Sequence, residues 1–407
     1  LFPPSSFRET IAFLTTMTGS LVVGTVRRHI VHPEILDNTC RPGHDETAAT
    51  DGIRGRGMTA RKKLRPRRRW VRGIAAAAML AAFTAQAAPP APTPVTADLV
   101  AAATKQGKVV FYTSIDLEVA AKIVQTFETK YPGITVQVGR NGAERTFQRI
   151  AQERESKIFA ADILESSDTA QFIVWKHLGW LEPFVPTEVA EKWPADQRDA
   201  DGCFASVRYT LSPIAYNTKL VKAADAPTGF TDLLDKKWIG KIVKAHPGYS
   251  GGIVTSTFQT SRDFGWEYFE KLGKQRVLQV QSATEPPKKL ALGERPIMAD
   301  GLEYLLLLMK EKGSPVEIVY PAEGTPFLSG SAAIADRAPH PNAARLFISF
   351  LFSRETQQFM SDVGGLRSFH PDVTLKQGRK PIAEIKLMKS DPETQTIKRK
   401  YSEYFGT

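Results

Sequence analysis

The sequence predicts an α/β protein built of two lobes. A strand, a short polar turn and a helix recur in that order in both halves of the chain. The apolar spacing alternates between period two and period three-to-four, the marks of strands and amphipathic helices. At 407 residues, 42% hydrophobic and 24% charged, the chain has volume for two or three cores.

The first 106 residues read differently from the rest. Residues 1–57 show no sustained periodicity and are expected to be an extension upstream of the native start at Met58. From there Arg61, Lys62, Lys63, Arg65, Arg67, Arg68, Arg69 and Arg72 precede an apolar run, Ile74 to Phe83, and Ala85-Gln86-Ala87. Charge, apolar run and small-x-small site are the three parts of a secretory signal peptide at 58–87. Its apolar run is too short to span a bilayer, which takes about 20 residues. Residues 88–106 read as a linker that begins Pro/Ala-rich. Residues 1–87 carry 14 Lys or Arg against 6 Asp or Glu, so most of the formal charge of +11 lies in the leader. The remainder is nearly balanced, which argues against a nucleic-acid partner. Cys40 and Cys203 fall on opposite sides of the cleavage site, leaving the exported chain one thiol.

After the linker, Val109–Tyr112 reads as a buried strand. Asp116 caps a helix with Leu117, Ala120, Val124 and Phe127 on its apolar side, ended by Pro132-Gly133. A strand at Ile134–Val138, a helix at 143–155, and a strand at Asp162–Leu164 follow. Ser166-Ser167-Asp168 then turns into a helix at 169–178. Parallel strands joined by helices place such turns on one edge of the sheet. Tyr209–Tyr216 alternates again, and Trp238 anchors the approach to a strand near Ile242. His246 to Gly252 lies between that strand and the next helix. Further helices are read at 265–272 and from Asp300-Gly301 through Leu308, after a strand at Ile297–Ala299. Strands near Val316–Tyr320 and Ser331–Ile334 precede one long helix from Pro341 that includes Phe359 and Met360.

Five stretches together resemble one family. They are Val110–Ser114, Ala215–Leu220, Asp232–Ile242, Gly293-Glu294 and Ala338–Ala344. In this order, behind a signal peptide, residues 107–370 are similar to the extracellular solute-binding proteins of ATP-driven importers. The branch is the one that includes ferric-ion, phosphonate and sugar-phosphate binders. The resemblance implies the type II periplasmic binding fold, with lobe one at 107–208 plus 325–370. Lobe two would take 209–324 plus 371–407, with ligand in the cleft and hinge strands near 206–216 and 320–328. It implies a periplasmic monomer without cofactor that docks on a membrane permease with its ATPase. A sensing partner of a membrane receptor is the same fold in another role. No Gly-x-Ser-x-Gly, His-Glu-x-x-His, Walker loop or paired-Cys site supports an enzyme.

The candidate ligand residues lie in four turns. Thr113, Ser114 and Asp116 fall where the family's first strand meets the cleft, and Ser166, Ser167 and Asp168 form the second turn of that lobe. Tyr249-Ser250-Gly251-Gly252 leaves backbone N–H groups uncovered at a helix N-terminus, which suits an anion. Asp300, Gly301 and Tyr304 form the fourth group. Ferric-binding relatives carry adjacent tyrosines here; Tyr304 matches the second, Glu303 stands in place of the first, and Asp116 replaces the histidine. The expected solute is therefore a small anionic or zwitterionic organic molecule. Iron held by Asp116, Glu303 and Tyr304 remains the alternative. His246, His340 and Cys203 are read as structural.

Overall fold

Thr96 accepts a hydrogen bond from the Leu99 amide and starts helix α1 (Ala97–Gln106). This stretch was expected to be linker; its alanine-rich composition hides a helix whose only fully buried side chain is Ala103. It packs Leu99, Val100 and Ala103 against the first core, and Gln106 accepts the Ala343 amide at 2.8 Å. The computed structural model describes residues 89–388. The upstream extension, the signal peptide and residues 389–407 lie outside the described residues.

Six elements then alternate: β1 (Lys108–Thr113), α2 (Leu117–Lys130), β2 (Thr135–Arg140), α3 (Ala143–Glu155), β3 (Ile163–Ser166) and α4 (Thr169–His177). Strands β1, β2 and β3 run parallel. Alternation along β1 sends Val109 and Phe111 into one hydrophobic cluster and Tyr112 into another, so both faces of this sheet are covered. After β4 (Leu181–Glu182) and α5 (Thr187–Lys192), β5 (Ala205–Leu211) lies at the end of the first sheet.

The chain crosses to a second sheet between Leu211 and Ile214. That sheet collects β6 (Ile214–Asn217), β7 (Ile242–Ala245), β8 (Leu278–Val280), β9 (Ile297–Met298) and β10 (Val316–Val319). Its helices are α6 (Gly251–Phe264), α7 (Trp266–Gly273), α8 (Glu285–Ala291) and α9 (Glu303–Glu311). Strands β7, β8 and β9 are parallel, the counterpart of the first sheet. Trp238 is buried with Phe230, Leu233 and Tyr268 against this sheet. The second crossing, residues 320–326, returns the chain to the first sheet as β11 (Phe327–Ala335), which pairs with β3, β4 and β5.

Helix α10 (Pro341–Phe352) closes the first core. Phe347 meets Phe111 and Phe127 edge-on at centroid distances of 5.1 and 4.9 Å. The long helix expected here is two helices. Ser353 adopts an extended conformation and its hydroxyl accepts the Thr356 amide, ending α10 and capping α11 (Arg354–Asp362). The chain then runs back along the crossings: Arg367 bridges Tyr209, Leu387 bridges Thr325, and Met388 joins the second-lobe core.

Cys203 is buried, and burial pushes its thiol up to about 11. Thiolate is the reactive form, so Cys203 is expected to resist a disulfide reagent at pH 8 until the protein is unfolded. Rapid labelling of Cys203 in the native protein, read by peptide mass, would contradict this burial.

Candidate functional site

Six strand-to-helix turns leave the carboxyl ends of the parallel strands, three from each sheet, and all six contribute to one cavity. The first lobe supplies Ser114 after β1, Arg140, Gly142 and Ala143 after β2, and Ser167 after β3. The second supplies Tyr249 and Ser250 after β7, Ser282 to Thr284 after β8, and Leu302 after β9. Arg208 of β5 completes the wall. The cavity is about 20 Å³, so the lobes stand nearly in contact.

Glycine makes that approach feasible at two points. A Cβ at Gly142 would lie 2.5 Å from the Tyr249 carbonyl oxygen, and one at Gly251 would lie 2.4 Å from the Cβ of Asp168. Real Cβ atoms do not come so close, so each glycine lets one lobe seat on the other. Polar contacts also cross the gap. Tyr304 of α9 accepts the Asp116 amide at 3.2 Å, Arg145 of α3 stands over the Tyr249 ring, and Lys288 of α8 faces Asp116 at 3.6 Å.

The floor of the cavity is an ion pair. Glu165 is 1% exposed and Arg208 3%. One Glu165 oxygen accepts Thr113 Oγ1 at 2.6 Å, the Ser114 amide at 2.8 Å and Ser114 Oγ at 3.2 Å. The other accepts Arg208 Nε at 3.0 Å and Nη2 at 2.8 Å. Arg208 Nη2 also donates to Ser114 Oγ, which in turn accepts the Ser167 amide at 2.9 Å. The carboxylate thus fixes both an arginine fork and a serine hydroxyl in the cavity wall. Arg140 is held from the other side, its Nε donating to the Ile115 carbonyl at 3.2 Å.

The expected ligand residues separate into two groups. Ser114, Ser167, Tyr249 and Ser250 line the cavity. Ser250 makes no side-chain capping bond to α6, so its hydroxyl and the first-turn amides of that helix remain for a ligand. The other expected positions serve the frame. Thr113 Oγ1 is spent on Glu165, and Ser166 Oγ donates to Gln171 at 2.7 Å. Asp168 caps α4 through the Ala170 amide, and Asp116 caps α2 through the Glu118 amide. Asp300 is buried in an ion pair with Lys244 at 2.5 Å and accepts the Ala245 amide. Gly301 donates to Ser212 at the crossing, and Gly251 and Gly252 pack at the lobe contact. His246 and His340 are structural: His246 Nδ1 accepts the Gly248 amide, and His340 pairs with Asp162 at 2.9 Å.

Residues 122–395 match the sequence profile of bacterial extracellular solute-binding proteins. The chain belongs to this family. A Salmonella paratyphi A periplasmic protein named for 2-aminoethylphosphonate binding is 27% identical over 269 residues, covering 60% of this chain and 73% of its own. The periplasmic binding protein AfuA of Actinobacillus pleuropneumoniae, solved with fructose 6-phosphate bound, is 26% identical. It superposes with a TM-score of 0.66 over 72% of this chain and 96% of its own. Iron-bound HitA of Pseudomonas aeruginosa shares the two-lobed fold at 21% identity, TM-score 0.62, over 73% of this chain and 98% of its own.

Within this solute-binding fold the iron set of Asp116, Glu303 and Tyr304 is not assembled. Both Glu303 oxygens are taken by Arg367 at 2.8 and 2.9 Å, and one also accepts the Tyr320 hydroxyl at 2.7 Å. Tyr304 is 1% exposed, and burial pushes its phenol well above the ordinary value, away from the phenolate a ferric ion wants. Tyr304 makes a contact between the lobes through the Asp116 amide. Sequence reasoning missed Arg140, Arg208, Glu165, Ser282 and Thr284. Arg208 was the legible one: a charge inside Ser206–Leu211, where every residue is buried, requires a partner.

Proposed function

We propose that this solute-binding protein captures a small organic anion, with a phosphate, phosphonate or carboxylate head, by closing its lobes on it. It works in the periplasm as a monomer and hands the solute to a membrane permease driven by an ATPase. No chemical step is required, since affinity arises from cleft hydrogen bonds and the shift from open to closed lobes. The observation that carries this reading is Arg208: a buried guanidinium, anchored by Glu165, in a wall with Arg140, Ser114 and Ser250 at the N-terminus of α6.

Anion binding at such a site stabilises the folded protein by about 2.7 kcal/mol at a hundredfold excess over Kd. A thermal-unfolding screen of phosphate esters, phosphonates and carboxylates is expected to give a large upward shift with at least one. Ser250→Ala removes one hydroxyl donor and is expected to weaken that ligand by roughly 2–10-fold, the worth of about 0.5–1.5 kcal/mol. Stabilisation confined to cationic or neutral solutes would overturn the proposal.

A further inference from the structure

Among the described residues, the cavity wall contains two arginines and no acidic residue. Three carboxylates of the first lobe each accept hydrogen bonds within that lobe. Glu165 accepts from Thr113, Ser114 and Arg208 and lies beneath the wall, not in it. Asp116 caps α2 with one oxygen and faces Lys288 with the other, and Asp168 caps α4. The remaining wall groups are the hydroxyls of Ser114, Ser167, Tyr249, Ser250, Ser282 and Thr284, with apolar Ala143, Ala283 and Leu302. An anionic head meets two guanidinium groups there, and a hydroxylated body meets hydroxyls. An ammonium on the same solute would lose its hydration without gaining a counter-ion in the wall, close to the Arg140 guanidinium.

We infer that the solute is an anion whose body bears hydroxyl or apolar groups and no ammonium, so zwitterions such as aminoalkylphosphonates are disfavoured. This rests on the anion-binding reading above and narrows it. It separates this chain from the relatives named for 2-aminoethylphosphonate, despite their sequence similarity.

The test uses two pairs of probes that differ only by an amine. Ethylphosphonate is compared with 2-aminoethylphosphonate, and glucose 6-phosphate with glucosamine 6-phosphate, by calorimetric titration of the exported chain. The amine-free member is expected to bind at least about tenfold more tightly in each pair that binds. Equal or tighter binding of the amino member overturns the inference while leaving the anion reading intact. Binding by none of the four, nor by inorganic phosphate, nor by any carboxylate of the thermal screen, overturns the anion reading and this inference with it. Ser282→Asp supplies the missing carboxylate: Ser282 Oγ already accepts the Thr284 amide, a role an aspartate can also fill. This variant is expected to shift the ratio toward the amino member by about tenfold. An unchanged ratio would contradict the account of the wall.

Discussion

Glu165→Ala is expected to cost about 3–5 kcal/mol of stability, the usual penalty for breaking a buried ion pair from one side. The loss is large because Glu165 serves several donors at once. Its removal strands the Arg208 guanidinium, 3% exposed, and leaves Thr113 Oγ1 and the Ser114 amide without their acceptor. In urea the midpoint should fall with little change in slope, the sign of lost stability rather than a changed denatured state. Glu165→Gln keeps the shape and one acceptor oxygen but turns an amide N–H₂ toward donors. It should fold with a smaller loss and bind the anion that the thermal screen selects at least about tenfold more weakly, because Arg208 and Ser114 are no longer fixed. A variant as stable as the parent, with unchanged affinity, would mean that the pair is neither an anchor nor part of the site.

Gly142→Ser is expected to leave stability unchanged or raised while weakening binding of the same probe by about tenfold or more. Gly142 occupies the cap position of α3 without a side-chain cap bond, and serine is a good residue there. The lobes moved apart accommodate the new Cβ. With the lobes together it lies 2.5 Å from the Tyr249 carbonyl oxygen, and overpacking of this kind costs about 1–3 kcal/mol. The cost falls on the closed form alone, so it appears in affinity. Small-angle scattering should show the parent contracting with a saturating amount of the anion that the screen selects and Gly142→Ser contracting less. Full contraction and unchanged affinity in the variant would remove Gly142 and Tyr249 from the closing contact.

Much of the frame was legible because it rests on local patterns. The strand at Val109–Tyr112, the cap at Asp116 and the helix at 143–155 follow from alternation, capping residues and spacing, and the structure has each of them. Helix α1 was not legible, since Ala97–Gln106 buries too little apolar surface to show a face. The break at Ser353 was hidden because Phe359 falls two helical turns after Phe352, in phase with one continuous helix. The site was half legible for a related reason. Polar residues in strand-to-helix turns mark the edge where a ligand can sit, but sequence does not say which are spent on capping. Ser114 and Ser250 face the cavity, whereas Ser166, Asp168 and Asp300 satisfy neighbours within their own lobes. Glu303 and Tyr304 stood in sequence only as part of the alternative iron set, and the partner of Glu303, Arg367, lies 64 residues on. Arg208 and Glu165 are 43 residues apart, a pairing that only the sheet brings together.

The most direct test is the mass spectrum of whatever is released when protein purified from its native periplasm is denatured. The account predicts one small organic anion bearing phosphate, phosphonate or carboxylate and no amine. Release of ferric ion from a coloured, tyrosinate-absorbing protein, or of a cationic solute, would contradict it.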